Sequence, residues 1–227
     1  MREGIITLTY KGKGDRDEIK NWRPITLLNN DYKVLSKIIT NRIKTCLDTI
    51  INVNQSCGGM GRYVLNNTLS IGSIIDLLNS KGEKGVMFLF DQEKAFDRIE
   101  HDFIIKALES YGFGLNIINW IKSMYRNITS KIIINDAITE DFMIQRSLRQ
   151  GCPLSMILYI IAIESLNTNI NKNANILGIK IPNLKEDFKT LLHADDCTNF
   201  TRDEFSFRHL QYKFTQFQKS LCISNQS

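Results

Sequence analysis

Three aspartates are the residues whose type and spacing could do chemistry in this sequence. Asp91 ends the apolar run GVMFLFD (85–91), and Asp195 and Asp196 follow the apolar residues of LLHADD (191–196). Adjacent carboxylates repel each other, so the pair has two interpretations. Aspartate is common in turns because its side chain bonds the nearby backbone. A bound divalent cation would instead convert the repulsion into attraction.

The position of these aspartates at the ends of apolar segments suggests how they could act together. If the segments are neighbouring strands, carboxylates 104 positions apart in the chain converge on one point. Such convergence without a basic partner is unfavourable unless cations neutralise it. Two divalent ions about 3.5–4 Å apart, bridged by carboxylates, activate an attacking oxygen and stabilise a leaving one in phosphoryl transfer.

The hydrophobic pattern predicts the elements that position these acids. Apolar residues recur at helical spacing in some segments and form short runs typical of strands in others. The predicted elements are helices at about 31–50, 101–111 and 115–126, a helix ending near Leu78, a buried helix with Pro153 just inside its start, a helix from near Phe205, strands at 4–10, 85–91, 176–181 and 190–194, and a hairpin within 131–146. Their irregular alternation indicates a mixed α/β or α+β fold.

The composition is typical of an ordered intracellular chain. It has 227 residues, of which 43% are hydrophobic and only three are proline. The longest apolar run, MILYIIAI (156–163), is far shorter than the ~18 residues needed to span a bilayer, and the N-terminus has no signal-peptide pattern. The five cysteines include no C-x-x-C pair. We therefore expect reduced thiols and a location in the cytoplasm, the nucleus or both.

Positive charge is concentrated in the N-terminal part. Residues 1–62 contain 11 Lys or Arg and 6 Asp or Glu, a surplus that equals that of the whole chain with its 29 basic and 24 acidic residues. A basic segment beside a neutral remainder is typical of a surface that contacts a polyanion such as nucleic acid. A solvated lysine-rich face has the same charge count, so both interpretations stay open.

Five segments of the chain form an ordered set. They are YKGKGDRDEIKNWRPITLLNNDYKVLSKIITNRI (10–43), NQSCGGMGR (54–62), LFDQEKAFDRIEHDFI (89–104), LRQGCPLSMILY (148–159) and HADD (193–196). The set resembles successive motifs of reverse transcriptases, above all those of non-LTR retrotransposons and next those of group II introns. The five segments are spread over residues 10–196, most of the 227-residue chain.

The resemblance implies a fold and a function. The fold is α+β, with right-hand polymerase fingers and a palm made of a small antiparallel sheet backed by helices. Basic fingers that bind template and nucleotide would span residues 1–84, and a palm with a two-metal catalytic region would span 85–227, so that the chain ends before a thumb. The implied activity is RNA-directed DNA polymerase, the transfer of dNTPs onto a primer 3′-hydroxyl with two Mg²⁺ ions or with Mn²⁺. The implied partners are an RNA template, a DNA primer, dNTPs and the remainder of a longer retrotransposon polyprotein, with no membrane.

The resemblance also implies roles for individual residues. Asp91 matches the first metal-binding acid, and Asp195 and Asp196 match the acidic pair, so all three are expected to be catalytic and to bind metal. Phe96 matches the aromatic residue that excludes a ribose 2′-hydroxyl, although an ordinary core aromatic fits the residue pattern equally. The other residues expected to bind nucleotide are Lys11 and Arg23, at the triphosphate, and Gln150 and Gly151, along the nucleotide and template.

Two further residues have predicted roles outside this set. Asp97 is expected to cap the helix that starts near His101, because it is placed just before that helix. Arg62 either touches the template backbone or is an ordinary exposed arginine.

Several positions depart from the family pattern. His193 stands where the family has Tyr, Phe or a similar apolar residue, and Met156 stands where it has Pro. Ser220, Ser224 and Ser227 stand where Gly, Asn and Lys are expected. Ser227 and the expected lack of a thumb favour an alternative, a catalytically silent nucleic-acid-binding relic of a retrotransposon polymerase, whereas the retained acids favour the polymerase. A two-metal nuclease or an RNA-templated RNA polymerase is a third interpretation, which a gating Phe96 disfavours.

Overall fold

The computed structural model describes residues 3–92 and 94–221. Contacts divide the chain into two compact units, Met1–Ile43 with Phe96–Leu158 and Lys44–Ala95 with Tyr159–Ser227. The elements are β1 (Glu3–Tyr10), a 3-10 turn (Ile19–Asn21), β2 (Trp22–Leu28), α1 (Asn30–Ile50), α2 (Val64–Lys81), β3 (Val86–Phe90), α3 (Ala95–Arg98), α4 (His101–Ser110), α5 (Leu115–Tyr125), β4 (Thr129–Ile134), β5 (Ala137–Ile138), β6 (Phe142–Met143), α6 (Ser155–Asn171), β7 (Thr190–His193), β8 (Asp196–Thr201) and α7 (Glu204–Leu221). The assignment of residues 1–84 to fingers and 85–227 to palm stays a prediction.

The first unit is organised around a five-stranded sheet. β1 pairs with β2 in antiparallel orientation and with β4 in parallel orientation, and both β5 and β6 pair with β4. Pro24 lies in β2, which is an edge strand, and an edge tolerates a residue that has no N–H to donate. α4 and α5 pack against each other in the same unit, and each has buried apolar residues, Ile104 in α4 and Ile121 in α5 among them.

The second unit contains a three-stranded antiparallel sheet in the order β3-β8-β7. Phe88 and Phe90 of β3 pack on the aromatic residues of α7, and the ring centroids of Phe90 and Phe214 lie 4.1 Å apart. Leu191 and Phe200 point to the other side of the sheet and pack with Ile74 of α2. Alternate side chains of a strand face opposite sides, so helices cover both faces of this small sheet.

α6 is the buried helix that the apolar run predicted. Every residue from 157 to 163 has at most 2% of its surface exposed, as expected for a helix that is apolar on all sides. It begins at Ser155, so the prediction that Pro153 lies inside its first turn was wrong by two residues. In the described ranges no helix is both long and apolar enough to cross a membrane.

The strand predicted at 176–181 does not form. Ile179 makes only an isolated antiparallel bridge to Phe188. Pro182 follows shortly and offers no N–H to a ladder, so pairing stops after that one contact. Conversely, the strands β2 and β8 were not predicted as such, and β8 proves to be the central strand of the sheet that carries the aspartates.

Candidate active site

The three predicted acidic residues lie at one end of the second unit's sheet. Asp91 directly follows β3, Asp196 begins β8, and Asp195 lies in the turn between β7 and β8. Phe90 pairs with Cys197 in the β3–β8 ladder, and therefore Asp91 and Asp196 are the next residues of two adjacent strands at that end. Asp195 therefore lies in a turn, whereas Asp196 is the first residue of a strand. The metal-binding role of the pair stays a prediction.

The Asp195 carboxyl is electrostatically linked to the other two. Burial raises the pKa of Asp195 above its usual value, and repulsion from Asp196 and Asp91 raises it further, while a backbone hydrogen bond and His193 act in the opposite direction. A bound cation would relieve this repulsion.

The chemistry of the donors suits a hard divalent cation, because carboxylate oxygens are the ligands that Mg²⁺ prefers. Within residues 3–92 and 94–221, no three His, Cys, Asp or Glu side chains form an arrangement able to hold a metal ion. The fit of Mg²⁺ to this site therefore rests on the type of donor and on the repulsion that Asp195 experiences from Asp91 and Asp196.

The turn that carries Asp195 is tight and strained. His193 pairs with Asp196, so only Ala194 and Asp195 connect β7 to β8. Ala194 has a φ of 54°, in the left-handed region that costs a residue with a Cβ atom roughly 1–2 kcal/mol. Strain of this kind persists only where the surroundings fix the conformation, and it is common at functional sites.

Residues 54–56 run beside β7 and support the turn. The Leu192 N–H donates to the carbonyl of Asn54 and the Ser56 N–H donates to the carbonyl of Leu192, both at 2.9 Å. The Gln55 side chain is fully buried, and its Oε1 accepts the Ala194 N–H at 3.1 Å, a contact across 139 positions of the chain. The segment NQSCGGMGR therefore holds the backbone of the acidic turn.

His193, a departure from the family pattern, is bound to the same segment. Its Nδ1 lies 2.9 Å from Ser56 Oγ, and that hydroxyl lies 3.0 Å from the carbonyl of Leu192. Because a hydroxyl has one hydrogen to donate, Nδ1 must donate when Ser56 bonds Leu192. The departures Ser224 and Ser227 lie outside the described residues.

Arg62 strengthens this support. Its guanidinium pairs with Asp48 at 3.0 Å and donates to the carbonyls of Asn52 at 2.6 Å and Gln55 at 3.0 Å. Only 17% of its side chain is exposed, so the interpretation of Arg62 as an ordinary exposed arginine is wrong. The residue closes the loop that presents Gln55.

Sequence reasoning missed the supporting residues and misplaced one aspartate. Gln55 and Ser56 have no spacing relation to the acids, and the only signal for them was their place in the motif NQSCGGMGR. Asp97 does not cap α4, whose N-cap is Glu100 with no side-chain cap bond. Instead, Asp97 accepts a hydrogen bond from Ser147 Oγ at 3.2 Å.

The residues predicted to bind nucleotide all lie in the first unit. Arg23 pairs with Thr9 in the β1–β2 ladder, and Lys11 directly follows β1. Lys11 Nζ donates to the Lys20 carbonyl at 2.7 Å. Farther along β2, the Thr26 N–H donates to the Gln150 carbonyl at 2.8 Å, so Gln150 lies beside the strand that carries Arg23.

Gly151 occupies a position that only glycine fits. Its φ is 106°, and a Cβ atom there would lie 2.8 Å from the carbonyl oxygen of Thr26. Phe96 is half-buried in α3, and its carbonyl accepts the Leu148 N–H at 2.8 Å, which brings it near the segment of Gln150 and Gly151. The roles assigned to these residues stay predictions.

The loop between β1 and β2 is ordered by contacts within itself. Trp22 Nε1 donates to the carbonyl of Arg16 at 2.8 Å, and Tyr10 Oη donates to the carbonyl of Gly14 at 2.5 Å. The Arg16 guanidinium lies over the Tyr10 ring, 5.0 Å from its centroid. Residues 11–21, which include four of the basic residues of the first unit, therefore form a compact loop.

Comparison with known proteins decides the family. The sequence profile described as "Reverse transcriptase (RNA-dependent DNA polymerase)" matches residues 11–223. The chain belongs to the reverse transcriptase family. This domain is 35% identical over 202 residues to the Transposon TX1 uncharacterized 149 kDa protein of Xenopus laevis. It is 27% identical over 190 residues to a retrovirus-related Pol polyprotein from the type-1 retrotransposable element R2 of Popillia japonica.

These relatives are much longer than the present reverse transcriptase domain. The alignments cover 89% and 81% of this chain but only 15% and 25% of the two relatives. Among solved structures, the telomerases of Candida albicans and Candida tropicalis share the fold, with TM-scores of 0.65 and 0.63 at 14% and 15% identity. The two alignments cover 100% and 94% of this chain, and 42% and 46% of the two telomerase chains. The predicted family and the α+β fold of fingers and palm are confirmed.

Proposed function

We propose that this reverse transcriptase domain is an RNA-directed DNA polymerase that adds dNTPs to a primer 3′-hydroxyl. The observation that carries the proposal is the placement of Asp91, Asp195 and Asp196 at one end of a sheet in a chain of this family. Phosphoryl transfer needs little covalent chemistry from the protein, so positioning and charge stabilisation are the main tasks of such a site.

The three aspartates would hold two Mg²⁺ ions, or Mn²⁺ in their place. When bound, such ions activate the attacking oxygen and stabilise the leaving one. The β3–β8 ladder holds Asp91 and Asp196 at the ends of adjacent strands. Without a bound cation, Asp91 and Asp196 repel the carboxylate of Asp195. The proposed nucleotide contacts are made by Lys11 and Arg23 at the triphosphate, Phe96 at the sugar, and Gln150 and Gly151 along the nucleotide and template.

The proposed partners are an RNA template, a DNA primer, dNTPs and the remainder of a longer retrotransposon polyprotein. The length of the matched relatives supports the last of these. The proposed location is intracellular, in the cytoplasm, the nucleus or both.

Primer extension on an RNA template tests the proposal. Parallel reactions contain dNTPs or ribonucleotides, with the 227-residue chain and with a chimera that adds the thumb of a close relative. Extension with dNTPs alone supports a reverse transcriptase activity, ribonucleotide use indicates an RNA polymerase, and template cleavage indicates a nuclease. Binding without extension by either protein would contradict the proposal and support the alternative, a catalytically silent nucleic-acid-binding relic.

A further inference from the structure

We propose that Gln55 is a positioning residue that fixes the backbone of the Ala194–Asp195 turn and thereby sets the metal affinity of the acids. The part of this proposal that concerns metal affinity rests on the proposed function. The hydrogen bond from Ala194 to Gln55 rests on the structure of the second unit alone.

The side chain of Gln55 is committed to the turn and to its own loop. Oε1 accepts the N–H of Ala194 at 3.1 Å and the N–H of Cys57 at 3.0 Å, which uses both lone pairs of the oxygen. Nε2 is buried and has no hydrogen-bond partner in the described part of the chain. Burying an unpaired amide donor is unfavourable, so the favourable contribution of this side chain lies in the two bonds to Oε1.

The backbone of Gln55 is fixed independently of its side chain. The bonds of residues 54 and 56 to Leu192 form a parallel bridge opposite Gln55. Arg62 donates to the Gln55 carbonyl and pairs with Asp48. The amide oxygen is thus presented from a rigid segment, which is what a positioning group requires.

The strain at Ala194 explains why the turn needs an external partner. The residue is 5% exposed and has a φ of 54°. Without Oε1 its N–H would be buried and unpaired, so the turn would gain by moving to a conformation without strain. Asp195 is the next residue, and any such movement displaces its carboxylate.

The test compares Gln55→Met, which keeps the side-chain volume but removes the acceptor, with Asn67→Leu. Asn67 is a matched control because its Nδ2 donates to the Leu192 carbonyl at 3.0 Å, on the same hairpin but outside the turn. Hydrogen exchange of the Ala194 amide is followed by NMR, and Mn²⁺ affinity is measured by EPR on the full chain. Loss of Mn²⁺ binding in Asp91→Asn identifies the ions bound at the acids.

We expect Gln55→Met to speed exchange at Ala194 and to weaken Mn²⁺ binding about tenfold, the lower end of the effect of removing a group that orients a metal ligand. Asn67→Leu should change neither. Glycine adopts positive φ without strain, so the double variant Gln55→Met/Ala194→Gly should recover part of the affinity, although the N–H of residue 194 stays unpaired. Unchanged Mn²⁺ affinity in Gln55→Met, an equal loss in Asn67→Leu, or no recovery in the double variant would overturn the proposal.

The same measurements distinguish failure of the proposed function from failure of the role proposed for Gln55. If the wild-type chain binds no Mn²⁺ that depends on Asp91, the proposed function fails, and the exchange data alone decide the role of Gln55. If Gln55→Met does not fold, the wild-type protein still provides the test. An Ala194 amide that exchanges as fast as an exposed amide would show that Gln55 does not hold the turn.

Discussion

The β1–β2 hairpin and the β7–β8 hairpin both present charged residues at the end of an antiparallel pair, and they are stabilised in different ways. The basic loop (residues 11–21) is held by Tyr10, Trp22 and Arg16, whose contacts join positions four to six apart in the chain. The acidic turn (residues 193–196) is held by residues 54–56, and its contacts join positions more than 130 apart.

The difference follows from what each hairpin must carry. The lysine and arginine residues of the basic loop are exposed, and solvent and salt screen exposed charges, so a loop ordered by its own aromatic residues is sufficient. Burial is the main cause of the raised pKa of Asp195, and repulsion from Asp196 and Asp91 adds to it. The turn itself consists only of Ala194 and Asp195 and offers no further side chain to hold the acids. The acidic turn therefore depends on a buried segment from elsewhere in the chain.

The largest effect is expected from replacing Asp91, which should reduce activity without reducing stability. Asp91→Asn should reduce polymerase activity by at least ~10³-fold, because a lost metal ligand removes several kcal/mol of transition-state stabilisation. Thermal stability should stay the same or rise slightly, since repulsion within the site decreases. Activity is measured by primer extension and stability by thermal unfolding. A marked fall in stability would make Asp91 a structural residue.

The second prediction tests whether Glu164, a buried acid of the second unit, makes the stability of the protein depend on pH. Glu164 is 2% exposed, and Asn167 donates to both of its carboxyl oxygens. Burial raises the pKa of Glu164 from 4.5 to about 7, although bonds from Asn167 and Asn52 and the charge of Arg62 oppose the shift. Asn52 belongs to the loop that carries Gln55.

The folded protein therefore binds the Glu164 proton more tightly than the unfolded chain does. The resulting stability is present in full below about pH 4.5 and is lost as the pH rises through 7. Relative to Glu164→Gln, the wild type should lose about 3 kcal/mol of unfolding free energy between pH 4 and pH 8. Urea unfolding at both pH values measures this loss. Glu109→Gln, at an exposed pair with Lys122, is the control, and parallel curves for wild type and Glu164→Gln would contradict the assignment.

The third prediction assigns sugar selection to the first unit. In an active chimera with a thumb, Phe96→Val should raise ribonucleotide use relative to dNTP use about tenfold, because a smaller side chain leaves room for the 2′-hydroxyl. Incorporation of dNTPs should change little. Competition between dNTPs and ribonucleotides in primer extension measures the ratio. Phe103→Val, at another half-buried phenylalanine, is the control, and unchanged selectivity in Phe96→Val would make Phe96 a core residue.

The smallest expected effect is at the basic loop. Trp22→Phe removes the bond from Nε1 to the Arg16 carbonyl but keeps an aromatic ring beside Tyr10. The loss should be about 1 kcal/mol, the usual contribution of one hydrogen bond, with faster amide exchange confined to the loop. Trp120→Phe, at a partly exposed position, is the control. Faster exchange at Ala194 as well would show that the two hairpins are not stabilised independently.

Much of the fold was predictable because its signals are local. The helices α1, α4, α5 and α7 and the strands β1 and β3 were predicted from hydrophobic spacing close to their observed bounds. The prediction of a strand at 176–181 was wrong because an apolar run does not reveal whether another segment can pair along the whole length of the run. β8 was missed because CTNFT has mostly polar residues, although four of these five residues are buried by the central position of the strand in the sheet.

The sequence by itself determined the family, the types of the charged residues and the chain positions at which apolar segments end on Asp91 and Asp195. These properties depend on residue identity and on spacing over a few positions. Only the tertiary structure decided that β3 pairs with β8, that Ala194 takes a left-handed conformation, and that Gln55 lies beneath it. Contacts between residues more than a hundred positions apart depend on the packing and hydrogen bonding of the whole unit. The local spacing of residues therefore does not indicate which distant residue will accept the hydrogen bond from Ala194.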